Sequence, residues 1–188
     1  MIKGIYNNSK YLFYTILLIC FTACSTTKNL PEDETLYTGI KKMIVENQDK
    51  SEEGEATMVE VEAALAYPPN NALLGSSSVR TPFPYKLWIY NDFVNSKTKL
   101  GKWIFNHFAA TPVYLSTVNP ELRAKIATNV LHNYGYFNGA VSYSVEKEKN
   151  PKKAKVNYLV NMRNPYYIDS VMYARFPYAA DSLIRETY

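Results

Sequence analysis

Cysteine and histidine are scarce in this chain. There are two of each among 188 residues: Cys20, Cys24, His107 and His132. Both cysteines sit near the N-terminus, so the rest of the chain has neither a disulfide framework nor a cysteine-based metal site. Two histidines cannot build a His-rich centre. Glycine is thin as well, at seven residues. None of them forms a phosphate-cradling loop, and no nucleophile elbow is present. The carboxylate pairs Asp33-Glu34 and Glu52-Glu53 lie in polar stretches and read as solvated. No enzyme activity, no cofactor and no metal are expected. A membrane-spanning run is also missing, since the apolar stretch Tyr11 to Ala23 falls short of the ~20 residues that a span requires.

What is present is apolar and aromatic. Hydrophobic residues make up 47% of the chain, which excludes a disordered protein. Tyrosine alone accounts for 17 residues. Charge is unevenly spread. Residues 24–66 carry ten acids and four bases, whereas residues 67–188 carry seven acids and fifteen bases. A basic half of this kind suits an anionic membrane or nucleic acid, or is simply a solvated surface. With no nucleic-acid motif beside it, no nucleic-acid partner is expected.

Residues 1–23 read as a signal peptide, with Lys3 and Lys10 ahead of the apolar run. Phe21-Thr22-Ala23-Cys24 resembles a bacterial lipobox. The resemblance implies cleavage before Cys24 and lipid on its sulfur, and one lipid group with two or more acyl chains anchors a protein stably. Residues 24–34 form a polar tether. Leu36 to Val45 reads as a strand, and Glu46 to Glu55 as a charged loop. Ala56 to Ala66 reads as a helix with Met58, Val61 and Leu65 on one face, stopped by Pro68-Pro69.

Residues of about 70–110 form an aromatic-rich insertion. It holds two short helical patterns and both tryptophans. Leu100, Trp103, Ile104, His107 and Phe108 recur at helical spacing. Trp88, Tyr90, Lys99, Lys102 and Trp103 are candidate contacts to a membrane or a partner, because aromatic and basic residues together suit a bilayer surface. The other reading is a helical hairpin packing its aromatics on its own domain, the commoner fate of such stripes.

Leu122 to Met162 organises the rest. Asn119 caps a helix, with Pro120 at its first position. Leu122, Ile126, Val130, Leu131 and Tyr134 make the apolar stripe, and Gly135 supplies the left-handed stop. Two alternating strands follow around the turn Lys149-Asn150-Pro151-Lys152. One buries Val141, Tyr143 and Val145. The other buries Ala154, Val156, Tyr158, Val160 and Met162. Tyr166 to Tyr173 is a further strand candidate, and Asp181 to Arg185 reads as a helix beginning. An element cut off so early suggests the front of a longer protein.

Without the insertion the order is β-α-α-β-β. With Tyr134-Gly135-Tyr136-Phe137 before the second strand, it resembles a POTRA domain of the BamA/TamA outer-membrane assembly superfamily. Cys24, Leu30-Pro31-Glu32-Asp33-Glu34, Asn71-Ala72-Leu73-Leu74-Gly75 and Leu87-Trp88-Ile89-Tyr90-Asn91 are similar to the TamA-like lipoproteins of Bacteroidota (TamL). The resemblance implies an α+β POTRA-like domain over residues 35–163, the start of a second one over 164–188, and no catalysis. It implies an outer-membrane lipoprotein whose POTRA domains sit in the periplasm, with outer-membrane client proteins and a TamB-like partner. Binding would be by strand addition along Ala140, Val141, Ser142, Tyr143, Ser144 and Val145. The small side chains of Ala140, Ser142 and Ser144 leave the backbone approachable. The alternative is a stand-alone lipoprotein that binds a carbohydrate or peptide through its aromatic insertion.

Overall fold

Strand Leu36–Glu46 (β1) opens the domain one residue longer than its sequence pattern requires. The computed structural model describes residues 26–171 together with 182 and 183. Cys24 and the signal region lie outside the described residues. After β1 come α1 (Glu52–Leu65), α2 (Tyr85–Phe93), α3 (Lys99–Phe108), a single turn α4 (Leu115–Val118), α5 (Pro120–Asn133), β2 (Ala140–Lys147) and β3 (Lys153–Asn161). The class is α+β. The sheet is mixed, in the order β1-β3-β2, with β1 parallel and β2 antiparallel to β3. A parallel neighbour requires a crossover, and everything from α1 to β2 lies within it.

β3 sits in the middle and alternates as its sequence requires. Ala154, Val156, Tyr158, Val160 and Met162 are buried on the face that the helices cover. α1 brings Met58, Val61 and Leu65 to that face, and Tyr37 and Tyr136 complete the core. α1 starts earlier than expected, so residues 52–55 are helix and not loop. Ser51 is the reason. Its Oγ accepts the Gly54 N–H at 3.0 Å, and three glutamates in the first turn suit the positive end of the helix dipole. Gly54 is required there, since a Cβ would stand 2.5 Å from the carbonyl oxygen of Asp49.

α5 is capped as read, with Asn119 Oδ1 accepting the Leu122 N–H at 3.1 Å and Gly135 left-handed at φ 88°. Its buried face differs from the expected stripe. Pro120, Ala124, Ala127 and Leu131 face the core, while Leu122, Ile126 and Tyr134 are exposed. Ala124 and Ala127 let α5 approach α1 and the sheet closely, and larger side chains have no room at those two positions. Arg123 holds the contact. Its guanidinium donates to the carbonyls of Val118, Ala64 and Ala66, and so satisfies the open C-terminal end of α1.

Two more readings are corrected. Only Val141 of β2 is partly covered, and Tyr143 and Val145 are 40% and 42% exposed, because α5 crosses only the start of that strand. Tyr166 to Val171 forms no strand, having no ladder partner among the described residues, and its side chains are exposed. The last two residues of that candidate lie outside the described residues, as does most of the expected helix after Asp181.

At the base of the insertion one side chain joins its two ends to β1. Asn70 donates its amide hydrogens to the carbonyls of Tyr37 (2.9 Å) and Val113 (2.8 Å), and its Oδ1 accepts the Val113 N–H (2.8 Å). Beyond that clamp, α2 and α3 pair as a hairpin, with Tyr90 against Phe105 at 5.6 Å between ring centres.

Two measurements check this packing. Ala127→Leu should lose roughly 1–3 kcal/mol by overpacking, whereas Leu122→Ala should stay within about 0.5 kcal/mol; the reverse order in chemical denaturation would refute the buried face. The second concerns Tyr136, whose O–H donates to Asp49 Oδ2 at 2.8 Å. Burial and then that carboxylate push the Tyr136 phenol up to about 12. A raised acid stays protonated longer when folded, so its contribution is complete below the ordinary tyrosine value near 10 and lost as pH rises toward 12. Melting temperature should fall over that window, and less steeply in Tyr136→Phe.

Candidate functional site

The two sheet edges are unequal. At β1 the outer edge is occupied where the strand begins. The Tyr37 N–H donates to the Val113 carbonyl at 3.0 Å, and the Leu115 N–H to the Thr35 carbonyl at 2.8 Å. A bulge at Gly39 (φ 115°) then breaks the regular edge, with the Arg80 guanidinium lying against it. Bulges and covering segments are how sheets close an edge to further pairing.

β2 has the other edge. The Glu148 N–H donates to the Lys153 carbonyl at 2.9 Å, which sets the parity of the hairpin. Counting back, Glu146, Ser144, Ser142 and Ala140 exchange ladder bonds with β3. Val141, Tyr143, Val145 and Lys147 turn N–H and C=O outward. The Val141 N–H is taken by Thr128 Oγ1 at 3.0 Å. Those of Tyr143, Val145 and Lys147 have no backbone partner among the described residues.

A groove of about 400 Å³ adjoins this edge. α5 lines one side with Glu121, Ala124, Lys125, Thr128 and Asn129, and Val141 to Tyr143 line the other. Lys125 and Glu121 pair at 2.7 Å on its rim. The hydrogen bond from Lys125 holds the Glu121 carboxyl below its ordinary range, and the same bond raises the Lys125 ammonium. Thr128 has a double role: its hydroxyl donates to the Ala124 carbonyl at 2.9 Å while accepting from Val141. On the wet face of the sheet Glu146 bonds Lys41, which lowers the carboxyl. The arrangement can accept an extended backbone along β2, with side chains of that backbone entering the groove.

Ala140 to Val145 all belong to β2, but only Val141, Tyr143 and Val145 among them turn their backbone groups outward, whereas those of Ala140, Ser142 and Ser144 are taken up by β3. Sequence reasoning missed Thr128, Glu121, Lys125 and Asn129. Thr128 could have been suspected, since a threonine inside a helix has a hydroxyl free to bond elsewhere. The insertion residues are placed apart from β2. Trp88 is half-buried against Phe83, with its indole N–H buried and without a partner. Tyr90 packs on Phe105, whereas Lys99, Lys102 and Trp103 are exposed on α3. Among the described residues no group of three His, Cys, Asp or Glu side chains could hold a metal ion. Comparison with protein families, with curated proteins and with solved structures gives no match for this chain.

The edge predicts an alternating pattern of amide exchange. Tyr143 and Val145 should exchange fast, and Ser142 and Ser144 slowly, by NMR. Val141 should be protected in the native chain and become fast in Thr128→Val; protection of Tyr143 and Val145 would mean that the edge is closed.

Proposed function

We propose that this chain is a lipid-anchored, POTRA-like binding module of an outer-membrane protein assembly or translocation factor, and that it takes up client or partner strands by pairing along β2. One observation carries the reading: outward N–H and C=O groups on Tyr143, Val145 and Lys147 stand beside an open groove, while the opposite edge is closed at its start. Backbone pairing supplies affinity with little regard to sequence, which suits a module that handles many clients. The element order β-α-α-β-β around the insertion supports the POTRA comparison. The lipobox at Cys24 supports a membrane anchor in the outer membrane, with the domain in the periplasm. A TamB-like partner follows from the same resemblance. Catalysis has no place in this reading.

The alternative, a stand-alone lipoprotein that binds carbohydrate or peptide on its insertion, would need several presented aromatic rings. Trp88 is turned inward and takes no part in such a surface, which leaves the exposed rings of α3, Trp103 and Phe108, to carry that reading.

The test uses proline at positions that differ only in parity. Tyr143→Pro or Val145→Pro removes an outward N–H and leaves the ladder to β3 whole. Each should keep the fold and lose crosslinking of extended client segments to β2. Ser142→Pro removes a ladder bond and should destabilise the domain itself. A folded Tyr143→Pro protein that still crosslinks to clients through β2 would overturn the proposal. The mass of the detergent-extracted protein checks the anchor separately, with a lipid adduct on Cys24 as the expected result.

A further inference from the structure

α3 has an apolar face that its own domain leaves open. Thr98 caps it, Gly101 is buried, and Ile104 and Phe105 turn partly inward. Leu100 is 68% exposed, Trp103 51% and Phe108 48%. Trp103, His107 and Phe108 form one surface group of rings, with Trp103 tilted over His107 at 4.8 Å and edge-on to Phe108 at 5.8 Å. Helical projection puts Leu100, Trp103, His107 and Phe108 within one arc, and Lys99, Lys102 and Asn106 on the other side.

Two further observations name what covers this face. The first is charge. From Phe93 to Pro120 the chain has Lys97, Lys99 and Lys102 and no acidic residue. Away from α3, Arg80, Lys153 and Lys155, with Glu148 as the single acid, line a separate cavity of about 260 Å³ beside Thr26, near the start of the described chain. The second is position. Asn29 donates its side-chain amide to the carbonyl of Asn91 in α2 at 2.6 Å. Cys24 is five residues from Asn29, so it cannot lie more than about 18 Å from it. α2 is the helix on which α3 packs. The point where the chain would enter the membrane is therefore tied to the helical hairpin.

We propose that α3 lies in the surface of an anionic phospholipid bilayer, with Leu100, Trp103 and Phe108 below the headgroups and Lys97, Lys99 and Lys102 at their level. This rests on the reading of the chain as a lipoprotein held by Cys24. An anchor alone leaves a domain free to swivel. A second contact made by α3 fixes which way the domain faces and turns the tether from a flexible link into a bracket. Interfacial helices bind through an apolar face with basic residues on the polar one, and lysines near an anionic surface add to the attraction.

The chain has only two tryptophans, so Trp103 can report on itself. The detergent-extracted full chain is reconstituted into vesicles of phosphatidylglycerol and phosphatidylcholine with brominated acyl chains. Native protein is compared with Trp103→Phe, a change at an exposed site. The emission that the substitution removes should be blue-shifted and quenched by the brominated chains, and less quenched when phosphatidylglycerol is omitted. Unquenched Trp103 emission in protein that sediments with the vesicles would overturn the inference and point instead to a protein or carbohydrate occupant. The mass of the same preparation separates the two claims. An adduct on Cys24 with unquenched Trp103 leaves the anchor and removes the α3 contact. Quenched Trp103 without an adduct leaves the contact and removes the anchor.

Discussion

The burial of one face of β3 is the constraint on which the rest depends. β3 lies between the other two strands, and its inward residues Val156, Tyr158 and Val160 share one core cluster with residues of both long helices. A strand held from three directions has one register, since a slip by one residue would expose Ala154, Val156, Tyr158, Val160 and Met162 together. β1 and β2 inherit their places from it. So do α1 and α5, which must cover that face and therefore lie side by side. Arg123 completes the layer where α1 ends, because its guanidinium reaches carbonyls that the helix leaves open.

What differs between the edges follows from how the chain returns. The insertion comes back through Val113 to Leu115 along β1, and Asn70 fixes it there with three hydrogen bonds. Among the described residues no comparable segment returns along β2, and α5 closes only the first of its outward residues, Val141, through Thr128. The same insertion that shuts one side of the sheet also carries α3 outward. A single addition between two helices thus accounts for both surfaces proposed to meet partners, one by blocking an edge and one by presenting a helix.

Much of this was legible in the residues. β3 alternates without exception, so period 2 located both the strand and its buried face. Asn119-Pro120 and Gly135 marked the ends of α5 through cap and left-handed stop, features local to the chain. The buried face of α5 was not legible, because a stripe of Leu122, Ile126 and Tyr134 outweighs Ala124 and Ala127 on any scale of hydrophobicity. Closeness of packing decided the matter, and that belongs to the neighbour. For the same reason β2 looked half-buried: its alternation is real, but the helix meant to cover it stops short. The outward parity of Tyr143 and Val145 needs the register of the hairpin turn. The groove needs α5 and β2 together. Thr35, Asn70 and Val113 are far apart in sequence and show no pattern that would join them.

The parallel pairing of β1 with β3 also decides how the domain carries load. Leu36 lies opposite Lys153 and Glu46 opposite Asn161, so the chain enters at one end of the sheet and departs from the other. Nine residues of β3 separate the two ends by roughly 30 Å. Between those two ends the domain is a strut. Tension between residues 30 and 163 would act along β1 and β3 in opposite senses and strain their shared hydrogen bonds all at once, not one after another. Such a pair resists being pulled apart far better than an antiparallel hairpin opened from its free ends. A pull on a strand added to β2 is different, since it can peel that strand away bond by bond. On the proposed function, the pair that holds the domain and the edge that releases a client are thus loaded in different geometries within one three-stranded sheet.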